Sequence, residues 1–299
     1  MSVLIVGSTA LDSIFTPKGK RPRLLGGSAS HASVAASFFS PVHLVGVVGD
    51  DFPQAYLNLY RRHGINLEGL QIEPGKTFHW AGEYEVNMNN RRTLKTELGV
   101  FEKFSPELPE SMRNVRFVLL ANIAPSLQHR VLDQMRKPRF VIADTMDLWL
   151  NIAKDDLLRL LRRIDALVLN DSEARLLTGD DNVISAVEKI HRLGPRHVIV
   201  KKGEHGSFLS SHRGFFLAPA FPLKKLVDPT GAGDSFVGGL IGYLASRPGP
   251  IEANLRGAII YGTAVASFCC EGFGLERTTA INRKAIDQRV KLLERLVRF

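Results

Sequence analysis

Asp228-Pro229-Thr230-Gly231-Ala232-Gly233-Asp234-Ser235-Phe236 links the apolar pair Leu226-Val227 to a pattern that predicts a helix over Ala232–Ala245. Gly231 and Gly233 let the backbone come close to a ligand. The free N–H groups of a helix start, together with the helix dipole, favour an anion. Asp234 falls in the same first turn, so its carboxylate reaches the place where that anion sits. Phosphoryl transfer needs this pairing: fixed donors around the travelling phosphoryl group, and a carboxylate that takes the proton of the attacking hydroxyl. On these residues alone, an ordinary glycine turn followed by a first-turn Asp is an equally good reading.

Outward from this segment, strand-like and helical runs alternate. Short apolar runs at Val3–Val6, Val42–Val48, Phe117–Leu120, Phe140–Ala143, Ala166–Leu169 and His197–Val200 have no alternating polar residue, as strands buried on both faces do. Amphipathic stretches lie between them at Ser28–Phe39, Phe52–His63, Ser126–Arg136, Asp155–Arg163 and Asn182–Leu193. The alternation predicts an α/β fold: a mostly parallel sheet flanked by helices, with right-handed crossovers. Several runs end in polar groups or glycine, at Gly49-Asp50-Asp51, Asn122, Asp144, Asn170 and Lys202-Gly203. Ligands bind beyond the carboxyl ends of strands in such sheets, so these groups are expected around one crevice.

Two segments break the rhythm. Residues 13–25 and 67–101 alternate as strands do and lack helices, with Trp80, Gly82, Tyr84 and Val86 set against Glu83, Glu85 and Asn87. They predict a small β element projecting from the main sheet, which covers a ligand, pairs with a second copy, or is a plain excursion.

The 299 residues and ordinary apolar content suit one large domain with a small appendage. The net charge of +9 is spread over scattered pairs such as Arg61-Arg62 and Arg162-Arg163, with no long basic block and no nucleic-acid motif. A positive surface suits an anionic small substrate. The only two cysteines are adjacent, Cys269 and Cys270, which fits neither a disulfide nor a metal site and points to a reducing compartment. Met1–Gly7 reads as a strand rather than a leader. The longest mostly apolar run, Gly257–Cys270, is too short for a bilayer and predicts a buried helix. A cytoplasmic protein with no membrane or nucleic-acid partner is expected. Other phosphate-loop patterns fail: Gly75-Lys76-Thr77 has the ending of a Walker loop, but Leu70 stands where its first glycine belongs. Phe236 stands where a dinucleotide fingerprint starting at Gly231 needs its third glycine.

At this point the chain resembles the ribokinase-like (PfkB) carbohydrate kinases. Asp228–Asp234 is similar to their C-terminal signature D-T-x-G-A-G-D, with Pro229 in place of Thr. Gly26-Gly27 resembles their N-terminal glycine pair. Gly46–Phe52 resembles their V-G-x-D-x-F-G stretch, with Pro53 where that pattern has Gly. Asn170-Asp171-Ser172-Glu173 matches N-x-x-E, and Lys201–Gly206 is similar to their strand-ending G-x-x-G segment. The matches follow the family's order across nearly the whole chain.

The resemblance implies an ATP-dependent kinase that transfers the γ-phosphoryl to a hydroxyl of a sugar or sugar-like molecule, with Asp234 as general base. Backbone N–H groups of Gly231, Ala232, Gly233 and Asp234 would form the anion hole. Asn170 and Glu173 would act near the phosphates, Glu173 organising Mg²⁺ through water. Lys202, Gly203, Glu204 and Gly206 would lie along the nucleotide. Asp12 would hold substrate hydroxyls, with Gly26 and Gly27 against the substrate. The small β element would be a lid and, in a homodimer, the contact between copies. Asp228 with Cys269–Gly274 would hold a monovalent cation such as K⁺, as in some members. Tyr261–Thr263 would either pack near adenine or form plain helix core. His31 stands where the family often has an Asn that reads sugar hydroxyls, which leaves the acceptor open. Phe78, Trp80, Tyr84 and Trp149 are candidates to stack a base, so a nucleoside kinase of the same fold is the alternative. An inactive small-molecule-binding homologue is the other, and the intact Asp234 and glycines oppose it.

Overall fold

The computed structural model describes residues 1–298. The strands are β1 (Val3–Val6), β2 (Ala10–Thr16), β3 (Gly19–Gly26), β4 (Val42–Gly49), β5 (Ile65–Glu73), β6 (His79–Tyr84), β7 (Arg91–Glu97), β8 (Phe117–Leu120), β9 (Phe140–Asp144), β10 (Ala166–Asn170), β11 (His197–Lys201), β12 (Ser207–Ser211) and β13 (Gly214–Ala218). The helices are α1 (Ser28–Ser37), α2 (Gln54–Arg62), α3 (Pro125–Gln134), α4 (Asp147–Ile152), α5 (Lys154–Leu161), α6 (Asp171–Thr178), α7 (Val183–Leu193), α8 (Ala232–Ser246), α9 (Ile251–Cys269), α10 (Glu276–Thr279) and α11 (Arg283–Val297).

Nine strands form one sheet in the order β13-β12-β11-β10-β9-β8-β1-β4-β5. The run from β11 to β5 is parallel, and β12 and β13 add antiparallel to its edge. Chain order reverses at β1, which pairs with β4 on one side and β8 on the other. Such a reversal opens a crevice beyond the strands' carboxyl ends.

The period of two along each strand builds two cores. On β1, Val3 and Ile5 join the core under α1, α2, α8 and α9, while Leu4 and Val6 join the core under α3, α5, α6 and α7. Burying a Leu or Ile side chain in this way contributes about 1.5–3 kcal/mol. The helix pair α1 and α8 is packed at backbone distance: a Cβ on Gly238 would lie 2.2 Å from the Ala32 carbonyl oxygen, and one on Gly242 would lie 2.7 Å from Ala36. Only glycine lets the two axes come that close, and this contact aims the α8 N-terminus at the crevice.

A second sheet, in the order β3-β2-β6-β7, projects from the carboxyl end of β1. Its central pair β2–β6 is parallel and its outer pairs are antiparallel. The expected range 67–101 for this element is too wide. Residues 67–73 belong to β5, the half-exposed edge of the large sheet, whose one buried flank produces the alternation that reads like a free β element. The helix expected over Gly257–Cys270 starts earlier, at Ile251, because Glu252, Asn254 and Arg256 ride on its outer side.

Candidate active site

The Asp228–Asp234 turn is held from three sides. Gly231 has φ +74°, a left-handed conformation that L side chains rarely adopt, and the His31 ring lies where its Cβ would be. Asp228 is fully buried; its Oδ1 accepts from Thr230 N at 2.8 Å and its Oδ2 from Gly274 N at 2.9 Å. Thr230 Oγ1 meets Tyr84 OH of the small sheet at 3.1 Å. No side chain caps α8, and among the described residues the N–H groups of Gly233 and Asp234 have no backbone acceptor. An uncapped helix start of this kind is a ready anion site.

On one side of that start lie Asp12, Gly26, Gly27 and His31. Asp12, on β2, is only 5% exposed, and its Oδ2 accepts from Gly27 N at 3.3 Å. A Cβ on Gly26 would sit 1.9 Å from that same oxygen, so this position has room only for glycine. Burial pushes the Asp12 carboxyl up to about 7; the charges of Asp228 and Asp234 add to this, and the Gly27 N–H and Arg91 oppose it. His31 is pushed down to about 4 by burial and is neutral; its Nε2 has no partner and its Nδ1 lies 3.8 Å from Cys269 Sγ.

On the other side is a cavity of about 460 Å³, lined by Lys201, Gly203, Glu204, Gly206, Ala232 and Gly233 and floored by Phe221, Leu223, Leu226 and Phe236. Lys202, expected along it, is not part of the lining. Of Tyr261–Thr263, Thr263 reaches the cavity. Tyr261 turns away to stack on Tyr243 at 4.3 Å and to donate to Asp287 Oδ1 at 2.9 Å. Asn170 and Glu173 form a capping box on α6: Asn170 Oδ1 accepts from Glu173 N at 2.8 Å and Glu173 Oε2 from Asn170 N at 2.7 Å. Burial raises Glu173 to about 7, with Lys201 opposing.

Asp234 stands between the two compartments. Burial raises its carboxyl, while Lys201 from the cavity side and Arg91 from the small sheet pull it down. Near it, Asp144 is at the crevice as its strand-end position predicts, while Lys201 was given no role from the sequence. Lys201 ends β11 and donates to both oxygens of Asp144, at the end of β9, at 3.1 and 3.2 Å. The available signal was a charged residue closing a fully buried strand in Val198-Ile199-Val200-Lys201. The aromatic candidates disperse: Phe78 stacks on Phe101 at 5.4 Å, and Trp149 Nε1 donates to Asn122 Oδ1 at 2.8 Å. Arg91 covers the Trp80 ring. The Gly75-Lys76-Thr77 triplet is a structural turn, pinned by Asp51 Oδ1 on Thr77 N and Oγ1, each at 2.7 Å.

Residues 3–280 match the sequence pattern of the pfkB family carbohydrate kinases. The chain belongs to this family. Among relatives of this pfkB kinase, the cytidine kinase of Thermococcus kodakarensis is 31% identical over 258 residues, covering 83% of this chain and 90% of its own. The nucleoside kinase of Thermoplasma acidophilum is 28% identical over 273 residues, covering 89% and 85%. An E. coli protein classed as ribokinase II, solved with ATP and Mg²⁺, superposes with a TM-score of 0.80 at 18% identity, covering 97% and 99% of the two chains. The likeness at that identity is one of fold: a mostly parallel sheet between helices, with a small sheet at its edge.

The pfkB kinase transfers the terminal phosphoryl of ATP to a hydroxyl of a sugar or nucleoside, and the family implies Mg²⁺ beside the nucleotide. Its residues fit both groups. The cavity and the uncapped α8 start suit a nucleotide and its phosphates. Glu173 commits Oε2 to its own capping box, and Oε1 remains for a metal-bound water. No helix among the described residues is long and apolar enough to cross a membrane.

Proposed function

We propose that this pfkB kinase acts on a nucleoside, phosphorylating a ribose hydroxyl that Asp12 holds and Asp234 deprotonates. The observation that carries the reading is the position of Asp234. It lies in the first turn of α8, electrostatically coupled to Asp12 on one side and to Lys201 of the cavity on the other. A carboxylate there meets the acceptor hydroxyl and the far end of a triphosphate at once. The Gly231–Asp234 N–H groups stabilise charge on the phosphoryl in flight. Gly203, Glu204 and Gly206 run beside the nucleotide, and Lys202 stays outside. Glu173 would hold Mg²⁺ through water, and the metal would supply charge neutralisation at the phosphates. The nucleoside assignment draws support from the cytidine and nucleoside kinases that share most of the chain.

His31 contributes as a neutral ring behind Gly231 rather than as a charged ligand, with Nε2 free for an acceptor hydroxyl. A monovalent cation is the finer reading at Asp228: each of its oxygens holds one N–H and keeps a lone pair, beside the Cys270–Gly274 loop. The edges of the small sheet carry Lys20, Arg21, Arg92 and Lys95, charges that oppose strand-to-strand pairing. A homodimer through this lid would therefore meet face to face. The unpaired thiols of Cys269 and Cys270 agree with a cytoplasmic setting.

A panel of acceptors with ADP detection tests the proposal. Turnover is expected on cytidine or another nucleoside and abolished in Asp234→Asn, which keeps ATP binding and loses about 100-fold or more in kcat. Turnover on free ribose or fructose with none on any nucleoside rejects the acceptor. A loss of only a few-fold in Asp234→Asn rejects the base.

A further inference from the structure

Lys201 reaches its partner across an intervening strand. It closes β11, its register partner on β10 is Asn170, and its ammonium passes on to Asp144 at the end of β9, two strand spacings away. Only a long side chain spans that distance. The ion pair is largely withdrawn from water, with Asp144 at 6% and Lys201 at 21% side-chain exposure. Desolvating two charges costs free energy that well-packed apolar residues of similar size would not cost. The fold therefore gives up stability to keep a cation here.

The position of the ammonium explains what it gains. Both of its hydrogen bonds among the described residues go to the one Asp144 carboxylate. An ammonium has three donors, so at least one is left over. The Nζ lies 3.1 Å from the place of a Gly233 Cβ, beside the uncapped start of α8, and Lys201 itself lines the cavity. Asp144, Glu173 and Asp234 all bear on this single ammonium, three carboxylates around one cation. No other residue of the described cavity lining carries a positive charge.

We propose that Lys201 is a phosphate-binding residue of the transfer reaction, its free N–H donating to the terminal phosphates of the nucleotide, with Asp144 as the positioning residue that fixes it. This rests on the reading of Asp234 as base. In the step itself, the acceptor hydroxyl gives its proton to the Asp234 carboxylate and its oxygen bonds to the γ-phosphorus. The bond from that phosphorus to the β–γ bridging oxygen breaks, and its electron pair stays on the ADP oxygen. Lys201 keeps its proton throughout and hydrogen-bonds the oxygens on which charge collects.

The test measures Kd for AMP and for ADP by calorimetry on the full chain carrying Lys201→Met, with kcat alongside. The double variant Lys201→Met/Asp144→Asn is measured in parallel, because the single change leaves a buried carboxylate unpaired and endangers folding. A charge-assisted hydrogen bond to the β-phosphate favours ADP over AMP by about tenfold or more. The ratio of AMP Kd to ADP Kd is expected to fall by about that factor in each folded variant, with kcat down about 100-fold. Lys201→Arg is expected to recover part of the ratio. A ratio that changes by less than about threefold in the folded double variant overturns the proposal, since a purely structural role weakens both nucleotides alike. Asp234→Asn serves as the reference: it keeps the parental ratio and loses transfer. Continued transfer by Asp234→Asn sinks the base assignment whatever Lys201 does to the ratio.

Discussion

Asp12 keeps its proton to about pH 7 because burial costs the ionised form more than Gly27 and Arg91 return. Its ordinary value is 3.8, so between 3.8 and about 7 the folded chain holds a proton that the unfolded chain has released. Stability then falls as pH rises through that window. Asp12→Asn in the ligand-free protein is accordingly expected to raise stability at pH 8 by on the order of 2–4 kcal/mol, with the gain reduced by about half or more at pH 5. Denaturant unfolding at the two pH values reads this; an equal gain at both would mean that the carboxyl ionises normally. Transfer is expected to be lost in the same variant, a trade of stability for function. Asp234 and its glycines were legible in the sequence because their chemistry is contained in one turn. Asp144 was legible as a strand-end group of the crevice, but its pairing with Lys201 was not, because strand order alone brings the two together. His31 was legible as a site residue, but its burial against Gly231 depends on α1 meeting the turn, which no local pattern records.

The pair α1–α8 shows what an element contributes. Its closeness rests on Gly238 and Gly242 facing Ala32 and Ala36. Gly238→Ala puts a methyl carbon 2.2 Å from the Ala32 carbonyl oxygen, so the helices must separate. Overpacking of this kind costs about 1–3 kcal/mol. We expect a lowered Tm together with a lowered kcat, because α1 carries His31 and α8 carries Asp234. A Tm and kcat both equal to the parent's would show that the crossing is slack. The buried strands were legible nearly to the residue, since a fully apolar run has one meaning in an α/β chain. β5 was not, because the sheet's edge strand is wet on one flank and alternates like an appendage. The first turns of α9 were masked by the polar residues on its outer side.

Across the whole molecule, the hairpin β6–β7 ties the small sheet to the large one. Met88, at its tip, has φ +59° and is 7% exposed, packed among Ile14, Tyr84, Val227 and Phe273. β6 ends at Tyr84 and the turn follows at once, so Val86, grouped by sequence with Trp80, Gly82 and Tyr84, is 89% exposed while Met88 is buried. Met88→Ala is expected to loosen the hairpin. Acceptor-free ATP hydrolysis should rise several-fold, on the order of 3–10, and KM for both substrates should rise with it. ADP release without acceptor measures this, and unchanged hydrolysis and KM would separate the hairpin from closure. Asn87 and Asn89 of the same tip line the cavity shared with Lys201 and Gly233, and Tyr84, a few residues back, touches the Thr230 turn. One short ribbon is thus a wall of two rooms. On the proposed reading neither product would have an exit of its own: the swing that frees the spent nucleotide would uncover the new phosphate ester, and a single door would set the pace for both departures.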